Sequence, residues 1–247
     1  MRYLVLTDLH ANLEALESCL SDAGRRGYDQ TLVLGDLIGY GADPNAIVDR
    51  IRDLRPVGLI RGNHDKVAIG IGEAEGFNYV AKTAAAWMLQ ALTPENRSWV
   101  AALPQGPQVI DDLVEICHGS PVDEDEYIFT EHAAMEALVA AARPLCLFGH
   151  THHPWTFCLR DGVMCSAGPS REAEALVHLE EGAKYLVNPG SVGQPRDGDP
   201  RAAYAIVDTG RRDVLLFRVE YAVEETQRKV IAAGLPEALA WRLTAGR

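Results

Sequence analysis

The sequence contains no long tract of basic residues and no hydrophobic run of membrane length among its 247 residues. Lys and Arg number 23 against 35 Asp and Glu, so the formal net charge is −12. Binding long nucleic acids regardless of their sequence needs many basic contacts to phosphates, which this composition argues against. A helix needs roughly 20 apolar residues to cross a bilayer, and no segment reaches that length. We therefore expect neither a nucleic-acid polymer nor a membrane as a partner.

Cysteine is scarce, and its spacing matches no disulfide or thiolate metal motif. The five cysteines are an odd number, and no Cys-x-x-Cys occurs. Most of them lie within apolar stretches, which indicates reduced core residues. The apolar residues 3–7 run directly into a charged residue and are too few for a secretory signal. The expectation is a cytoplasmic protein.

Internal repeats, low-complexity tracts and interdomain linkers are also lacking. With 47% hydrophobic and 23% charged residues, the composition is that of an ordinary globular protein. A chain of this length can bury a substantial core as a single α/β unit. We therefore expect residues 1–247 to form one domain.

The first quarter of the chain alternates apolar strands with amphipathic helices. Strands are predicted over residues 3–7, 31–36 and 57–60, and helices begin after residue 10 and at residue 44. This βαβαβ order is typical of a parallel sheet with right-handed crossovers.

The rest of the chain is richer in short strands. The pattern as a whole predicts a mixed α/β fold, a four-layer αββα sandwich with two mixed sheets packed face to face and helices outside. In the helix over residues 78–92, the predicted buried positions are Val80, Ala84, Trp87 and Leu89. Hairpins are expected over residues 108–118 and 155–167 and single strands over 145–148, 184–187, 202–207 and 214–219. Helices are expected over residues 78–92, 94–103, 131–142, 223–233 and 236–243, residues 70–76 read as a loop, and 170–182 fit no element.

One strand organises the candidate site, because it ends at Gly35 and Asp36. A carboxylate at the carboxyl end of a strand in an α/β sheet lies where ligands bind. Polar side chains follow the other predicted strands as well. Two pairs of candidate ligands have one residue between them, Asp8-x-His10 and His150-x-His152. On extended backbone, both side chains of such a pair would point the same way. The candidate ligands are Asp8, His10, Asp36, Asn63, His118, His150 and His152.

This set of side chains indicates a dinuclear metal site. Carboxylates combined with imidazoles suit mid-row divalent ions such as Mn, Fe, Co, Ni or Zn. Two such ions about 3.5–4 Å apart, bridged by one carboxylate, can activate a water and clamp the oxygens of a phosphoryl group. We expect Asp36 to be the ligand that the two ions share.

The order of these residues resembles the calcineurin-like metallophosphoesterase superfamily, and within it the small bacterial phosphodiesterase branch. Residues 188–196 extend the resemblance towards residue 200. The motifs are Asp8-x-His10, Gly35-Asp36, Gly62-Asn63-His64-Asp65, His118 and Gly149-His150-x-His152. The resemblance implies two divalent ions, manganese first among them. One would be held by Asp8, His10, Asp36 and His152, and the other by Asp36, Asn63, His118 and His150.

The resemblance also implies roles for residues that are not ligands. His64 would act as general acid or stabilise an oxygen near the leaving group. Asp65 would orient His64 as a supporting carboxylate. Arg61 and Arg196 are the two arginines expected near the site, as substrate contacts. Three histidines without a place in the motifs are expected to be structural or surface residues: His132, His153 and His178.

These features together predict a metal-dependent phosphoesterase, first of all a phosphodiesterase, with a small phosphate ester as its substrate. A phosphomonoesterase or Ser/Thr protein phosphatase is the enzymatic alternative. A non-catalytic binding scaffold of the same fold is a second alternative, which the complete ligand set argues against. A nuclease is a third, and the acidic balance argues against it. The sequence leaves assembly into a homo-oligomer open.

Overall fold

The computed structural model describes residues 1–72, 76–168 and 172–247. Residues 73–75 of the predicted loop and residues 169–171, where the unassigned segment begins, lie outside the described residues. Within the described residues the strands are β1 Arg2–Leu6, β2 Gln30–Val33, β3 Gly58–Leu59, β4 Gln108–Val109, β5 Val114–Ile116, β6 Leu145–Leu147, β7 Trp155–Arg160, β8 Val163–Ala167, β9 Glu174–His178, β10 Lys184–Asn188, β11 Ala202–Asp208 and β12 Asp213–Val219. The helices are α1 Leu13–Arg26, α2 Pro44–Leu54, α3 Asn63–Ala68, α4 Tyr79–Ala91, α5 Pro94–Ala101, α6 Glu131–Ala140, α7 Val223–Ala232 and α8 Glu237–Ala245.

The strands form two mixed sheets of six strands each. The first has the order β3-β2-β1-β11-β12-β9, with β1, β2 and β3 parallel and β11, β12 and β9 joined antiparallel. The second has the order β4-β5-β6-β10-β7-β8, with β5, β6 and β10 parallel and antiparallel pairs outside them. The predicted parallel pairing in the first quarter is confirmed, and so are both predicted hairpins.

Side chains that alternate between the two faces of each strand explain how helices pack on one face of a sheet and the other sheet packs on the opposite face. Successive side chains of a strand point to opposite faces of its sheet. In β1, Leu4 and Leu6 join the cluster that includes the buried faces of α1 and α2, whereas Val5 joins the cluster between the two sheets. In β10, Val187 faces that inter-sheet cluster and Leu186 packs with the buried face of α6. The predicted sandwich of two mixed sheets between helices is confirmed.

Helix α1 shows how local chemistry sets the ends of an element. The Asn12 side chain accepts a hydrogen bond from the Ala15 backbone N–H at 3.1 Å, which satisfies a free donor of the first turn. Gly27 follows the last turn with φ 77°, a left-handed value that favours glycine. The helix therefore begins three residues after His10, and its capped first turn fixes the end of the loop that carries Asp8 and His10.

Several sequence predictions differ from the structure. Helix α3 has no signal in the sequence, because six residues are too few to show a helical period. Strand β9 occupies part of the unassigned segment and pairs with β12 at a sheet edge. Leu89 is 38% exposed, since the buried face of α4 is shifted by one residue to Met88. Cys165, on the outer strand β8, is exposed and so is not a core residue.

Among the residues that the structure describes, no helix combines the length and the apolar character needed to traverse a lipid bilayer. That residues 1–247 form one domain stays a prediction.

Candidate metal centre

The seven candidate ligands converge at the carboxyl ends of strands from both sheets. Asp8 and Asp36 follow β1 and β2 of the first sheet, and His118 and His150 follow β5 and β6 of the second. Asn63 is the first residue of α3. All seven are buried, and none is more than 7% exposed. The structure therefore buries all seven side chains at the end of the two sheets, and their role as metal ligands stays a prediction.

Asp36 lies where two groups of ligand atoms overlap. Its Oδ2 atom lies 3.5 Å from His10 Nε2 and 3.5 Å from His118 Nε2. The same oxygen is buried and has no hydrogen-bond partner. Because an unpaired buried carboxylate oxygen is costly, a cation at this place would fit the donor set. The two groups, each with its atoms within 4.8 Å of one another, are Asp8, His10, Asp36 and His152, and Asp36, His118 and His150.

Backbone carbonyls hold three of the imidazoles by their Nδ1 atoms. In each case Nδ1 must donate, because a carbonyl can only accept, so Nε2 is the ring atom that faces the centre. The Nε2 atoms of His10 and His152 face each other at 3.0 Å. Two lone pairs at that distance repel unless a cation or a proton lies between them. The carbonyl contacts are His10 to Ile38 at 3.3 Å, His118 to Leu34 at 2.8 Å and His152 to Gln194 at 2.6 Å.

His150 is held in the opposite sense. Its Nε2 donates to the Asp125 carbonyl at 3.1 Å, which leaves Nδ1 as the available ligand atom. On the same side, His118 Nε2 lies 3.2 Å from the Asn63 side-chain oxygen. This part of the centre therefore offers imidazole nitrogens from two histidines and the amide oxygen of Asn63.

The backbone at these ligands is left-handed, which corrects the expectation of extended backbone. The φ values are 53° at Asp8, 47° at His10, 52° at Asp36, 65° at His150 and 59° at His152. Such values are uncommon outside glycine and cluster at functional sites. Hydrogen bonds between the loops hold them, for example from the His150 N–H to an Asp8 carboxylate oxygen at 3.1 Å.

Two glycines leave room for Asp36. Gly35 has φ 94°, and a Cβ there would lie 2.5 Å from the backbone nitrogen of Gly62. A Cβ on Gly62 would overlap the Asp36 carboxylate. Glycine is therefore required at position 35 by both conformation and space, and at position 62 by space alone.

Burial dominates the electrostatics of the centre. It raises the pKa of Asp8 to about 7, with a further increase from the Asp36 charge, while His118 opposes the shift. Burial also lowers the pKa of His10 and His152 well below the ordinary value, so both rings are neutral. Burial would lower the pKa of His118 too, but the Asp36 and Asp8 charges outweigh it and raise the value to about 10. The centre thus favours a positive charge beside its two carboxylates.

Comparison with known proteins decides the family. Residues 1–212 match the calcineurin-like phosphoesterase superfamily domain. The chain belongs to that superfamily. An uncharacterized protein of Methanocaldococcus jannaschii is 35% identical over 252 residues, which cover 98% of this chain and 97% of the relative.

Solved structures agree with this membership of the superfamily. A metallophosphoesterase from Sphaerobacter thermophilus is 40% identical, with a TM-score of 0.86 over 100% of this chain and 99% of that chain. A hypothetical protein from Pyrococcus horikoshii OT3 is 20% identical, with a TM-score of 0.78 over 100% and 98% of the two chains, and it shows the fold alone. The superfamily predicted from the motifs is therefore confirmed.

In this member of the superfamily, His64 lies against the centre, but Asp65 does not orient its ring. The His64 ring lies 5.0 Å from that of His10 and 4.3 Å from that of Tyr40, centroid to centroid. The two carboxylate oxygens of Asp65 accept backbone N–H groups, from Gly62 at 2.9 Å and from Ile38 at 3.1 Å. Asp65 therefore caps the short helix α3 and fixes the loop after β2, which differs from the expected contact with the imidazole.

The two predicted arginines lie in different surroundings. Arg61 pairs with both oxygens of Glu124, at 2.9 and 3.1 Å, and its guanidinium also donates to Gln105. Arg196 lines a cavity beside His64 and donates to the Tyr40 hydroxyl at 3.3 Å. Arg196 therefore lies at the site, whereas the Arg61 guanidinium is paired with the Glu124 carboxylate.

The segment after β10 supports the centre in a way that the sequence analysis missed. The Ser191 hydroxyl donates to the Asp8 carbonyl at 2.8 Å, and the Gly193 N–H donates to the same carbonyl at 2.9 Å. The Gln194 carbonyl holds His152, as described above. The resemblance of residues 188–196 to the superfamily was the only sequence signal for this support. Contacts made by backbone carbonyls cannot be predicted from residue types, because every residue has a carbonyl.

Proposed function

We propose that this protein is a metal-dependent phosphodiesterase that hydrolyses small phosphate diesters at a centre of two divalent ions. The observation that carries the proposal is the unpartnered Asp36 oxygen between two groups of ligand atoms. Manganese is the first choice of ion, among manganese, iron, nickel, cobalt and zinc. The ligands would be the seven side chains named above, with Asp36 shared.

When bound, two such ions supply a water of lowered pKa and neutralise charge on the phosphoryl oxygens. The chain itself orients the imidazoles through backbone carbonyls and excludes bulk water by burying the ligands. The His64 imidazole lines the adjoining cavity and can donate a hydrogen bond to a phosphoryl or leaving-group oxygen. Asp65 holds α3, and with it the backbone that carries Asn63 and His64.

Two cavities beside the centre support a diester over a monoester. One, of about 180 Å³, is lined by residues that include the candidate ligands Asn63 and His150. The other, of about 140 Å³, is lined by residues that include His64 and Arg196. Tyr127 borders both cavities. A phosphodiester carries two substituents on one phosphorus atom, and each cavity could take one of them.

The test compares substrates on protein loaded with manganese. We expect bis-p-nitrophenyl phosphate to be hydrolysed faster than p-nitrophenyl phosphate or a phosphopeptide. Asp36→Asn should reduce kcat/KM at least about 100-fold while the far-ultraviolet circular dichroism stays unchanged. Asp112→Asn changes an exposed carboxylate on a turn and serves as the matched control.

Elemental analysis completes the test. About two ions per chain are expected in the wild-type protein and fewer in Asp36→Asn. Faster turnover of the monoester or the phosphopeptide would favour the phosphomonoesterase or protein-phosphatase alternative. Metal binding without turnover of any ester would favour a scaffold. Full activity of Asp36→Asn would refute the shared ligand.

A further inference from the structure

We propose that Arg196 and Arg242 form a second anion site beside the candidate centre, which takes an additional phosphate group of the substrate. The inference rests on the proposed function, because it assigns a substrate class to the same site. That class is phosphate esters that carry a phosphate group besides the one that reacts. Nothing in the ligand motifs points to Arg242, which lies on α8, beyond the residues that match the superfamily.

The cavity beside His64 places two guanidinium groups together. Its volume is about 140 Å³, and its lining includes Tyr40, His64, Tyr127, Arg196 and Arg242. The guanidinium carbons of Arg196 and Arg242 lie 5.7 and 5.6 Å from the centroid of the Tyr40 ring. The Tyr40 ring therefore lies near both cations, and Tyr127 borders the same space.

Neither guanidinium pairs with an Asp or Glu side chain among the described residues. Arg196 donates to the Tyr40 hydroxyl and to the Gln194 side-chain oxygen, both at 3.3 Å, and its buried Nε has no hydrogen-bond partner. Arg242 donates through Nε to a main-chain oxygen of Arg247, the last residue of the sequence, where that oxygen is part of a carboxylate. In contrast, the partly buried Arg61 pairs with Glu124.

Two guanidinium groups that line one cavity favour the binding of an anion there. Burial, followed by the charge of Arg196, lowers the pKa of Arg242. A phosphate between the two groups would remove this repulsion and accept several charge-assisted hydrogen bonds. Under the proposed function the reacting phosphate lies at Asp36 and its neighbours, so we assign the group held here to a different phosphate on the same molecule.

The test measures binding of three adenosine nucleotides by calorimetry on manganese-loaded protein. Adenosine 5′-monophosphate carries one phosphate. The 5′-diphosphate adds a phosphate through an anhydride bond, and the 3′,5′-bisphosphate adds one on another carbon. We expect wild-type protein to bind at least one of the doubly phosphorylated probes tenfold or more tightly than the monophosphate. The probe that binds more tightly shows whether the site accepts a second phosphate in an anhydride or one on another carbon.

Arg242→Gln should reduce this preference to about threefold or less, and Arg242→Lys should restore part of it. Arg228→Gln, which changes an exposed arginine of α7 paired with Glu225, should leave the preference as in the wild type. Circular dichroism verifies that each variant is folded. An unchanged preference in folded Arg242→Gln, or no preference in the wild type, would overturn the second anion site.

Turnover of bis-p-nitrophenyl phosphate separates this inference from the proposed function. If the wild type hydrolyses that diester but shows no Arg242-dependent preference, only the anion site fails. If it hydrolyses no ester but shows the preference, the anion site stands and the proposed function fails.

Discussion

Asp36 joins more parts of the candidate centre than any other residue described above. Its Oδ1 accepts the backbone N–H of His64 at 2.8 Å, and its Oδ2 faces His10 and His118. A single carboxylate thus sets the position of α3 and connects the two groups of ligand atoms. Changes that displace this one side chain should affect the centre before they affect the fold.

Gly62→Ala is predicted to act through Asp36. The added methyl group would overlap the carboxylate, so we expect a loss of about 1–3 kcal/mol in the free energy of unfolding and at least a tenfold loss of manganese affinity. Urea unfolding and metal titration measure the two effects. In contrast, Gly24→Ala on the exposed side of α1 meets nothing within 4 Å and should stabilise by about 0.5–1 kcal/mol. Wild-type metal affinity in Gly62→Ala would contradict the steric argument.

At the scale of elements, α1 is fastened to β11 by a buried tyrosine. The Tyr204 hydroxyl donates to the Asp22 carboxylate at 2.6 Å, and the Arg26 guanidinium donates to the same oxygen at 2.7 Å. Burial raises the pKa of Asp22, but these hydrogen bonds outweigh burial and lower it below the ordinary value. The contact holds the helix that starts directly behind Asp8 and His10.

Tyr204→Phe should therefore destabilise in a pH-dependent way. Because the pKa of Asp22 is lowered on folding, its contribution is complete above the unfolded value near 4 and is lost as the pH falls through the folded value. We expect a loss of about 1 kcal/mol at pH 7 and a smaller difference between variant and wild type near pH 3. Urea unfolding across this range measures it. A difference that grows on acidification would show that the sign is wrong.

A buried ion pair connects the segment after β10 to β12. Arg218 and Asp197 pair directly, and their side chains are only 5% and 2% exposed. Removing one partner of a buried pair leaves an uncompensated charge, so Asp197→Ala should cost about 3–5 kcal/mol of unfolding free energy. The double variant with Arg218→Met should recover much of this loss. Glu225→Ala, in an exposed pair, is the control and should change nothing measurable. Equal losses in the single and double variants would contradict the interpretation.

At the scale of the whole molecule, the centre joins the two sheets. Asp8 and Asp36 come from the first sheet, and His118 and His150 come from the second. A ligand that binds only the folded chain stabilises it in proportion to its concentration relative to Kd. Metal binding should therefore be visible as global stability and not only as activity.

Manganese at about 100 times its Kd should add about 2.7 kcal/mol and raise Tm by about 5–10 °C relative to protein in excess EDTA. Differential scanning calorimetry gives the shift directly. Asp36→Asn should lose most of it, and Asp112→Asn should retain it. An equal shift in Asp36→Asn and wild type would indicate that the ion binds elsewhere.

The sequence alone determined the features that depend on local pattern. Apolar alternation and helical periodicity predicted the strands and longer helices, and the residue types after each strand predicted the seven candidate ligands. Such signals are local because a few neighbouring residues set the backbone conformation and the available donor atoms. The superfamily could be recognised on the same grounds.

Only the tertiary structure decided what distant segments do to one another. The edge strand β9 exists by pairing with β12, and the left-handed backbone at Asp8 and His10 is held by contacts from other loops. Asp65 caps a helix instead of contacting the His64 imidazole, and Arg242 of the last helix lines the cavity beside His64. None of these contacts is encoded in the spacing of residues along the chain. They follow from which surfaces meet once the two sheets have packed.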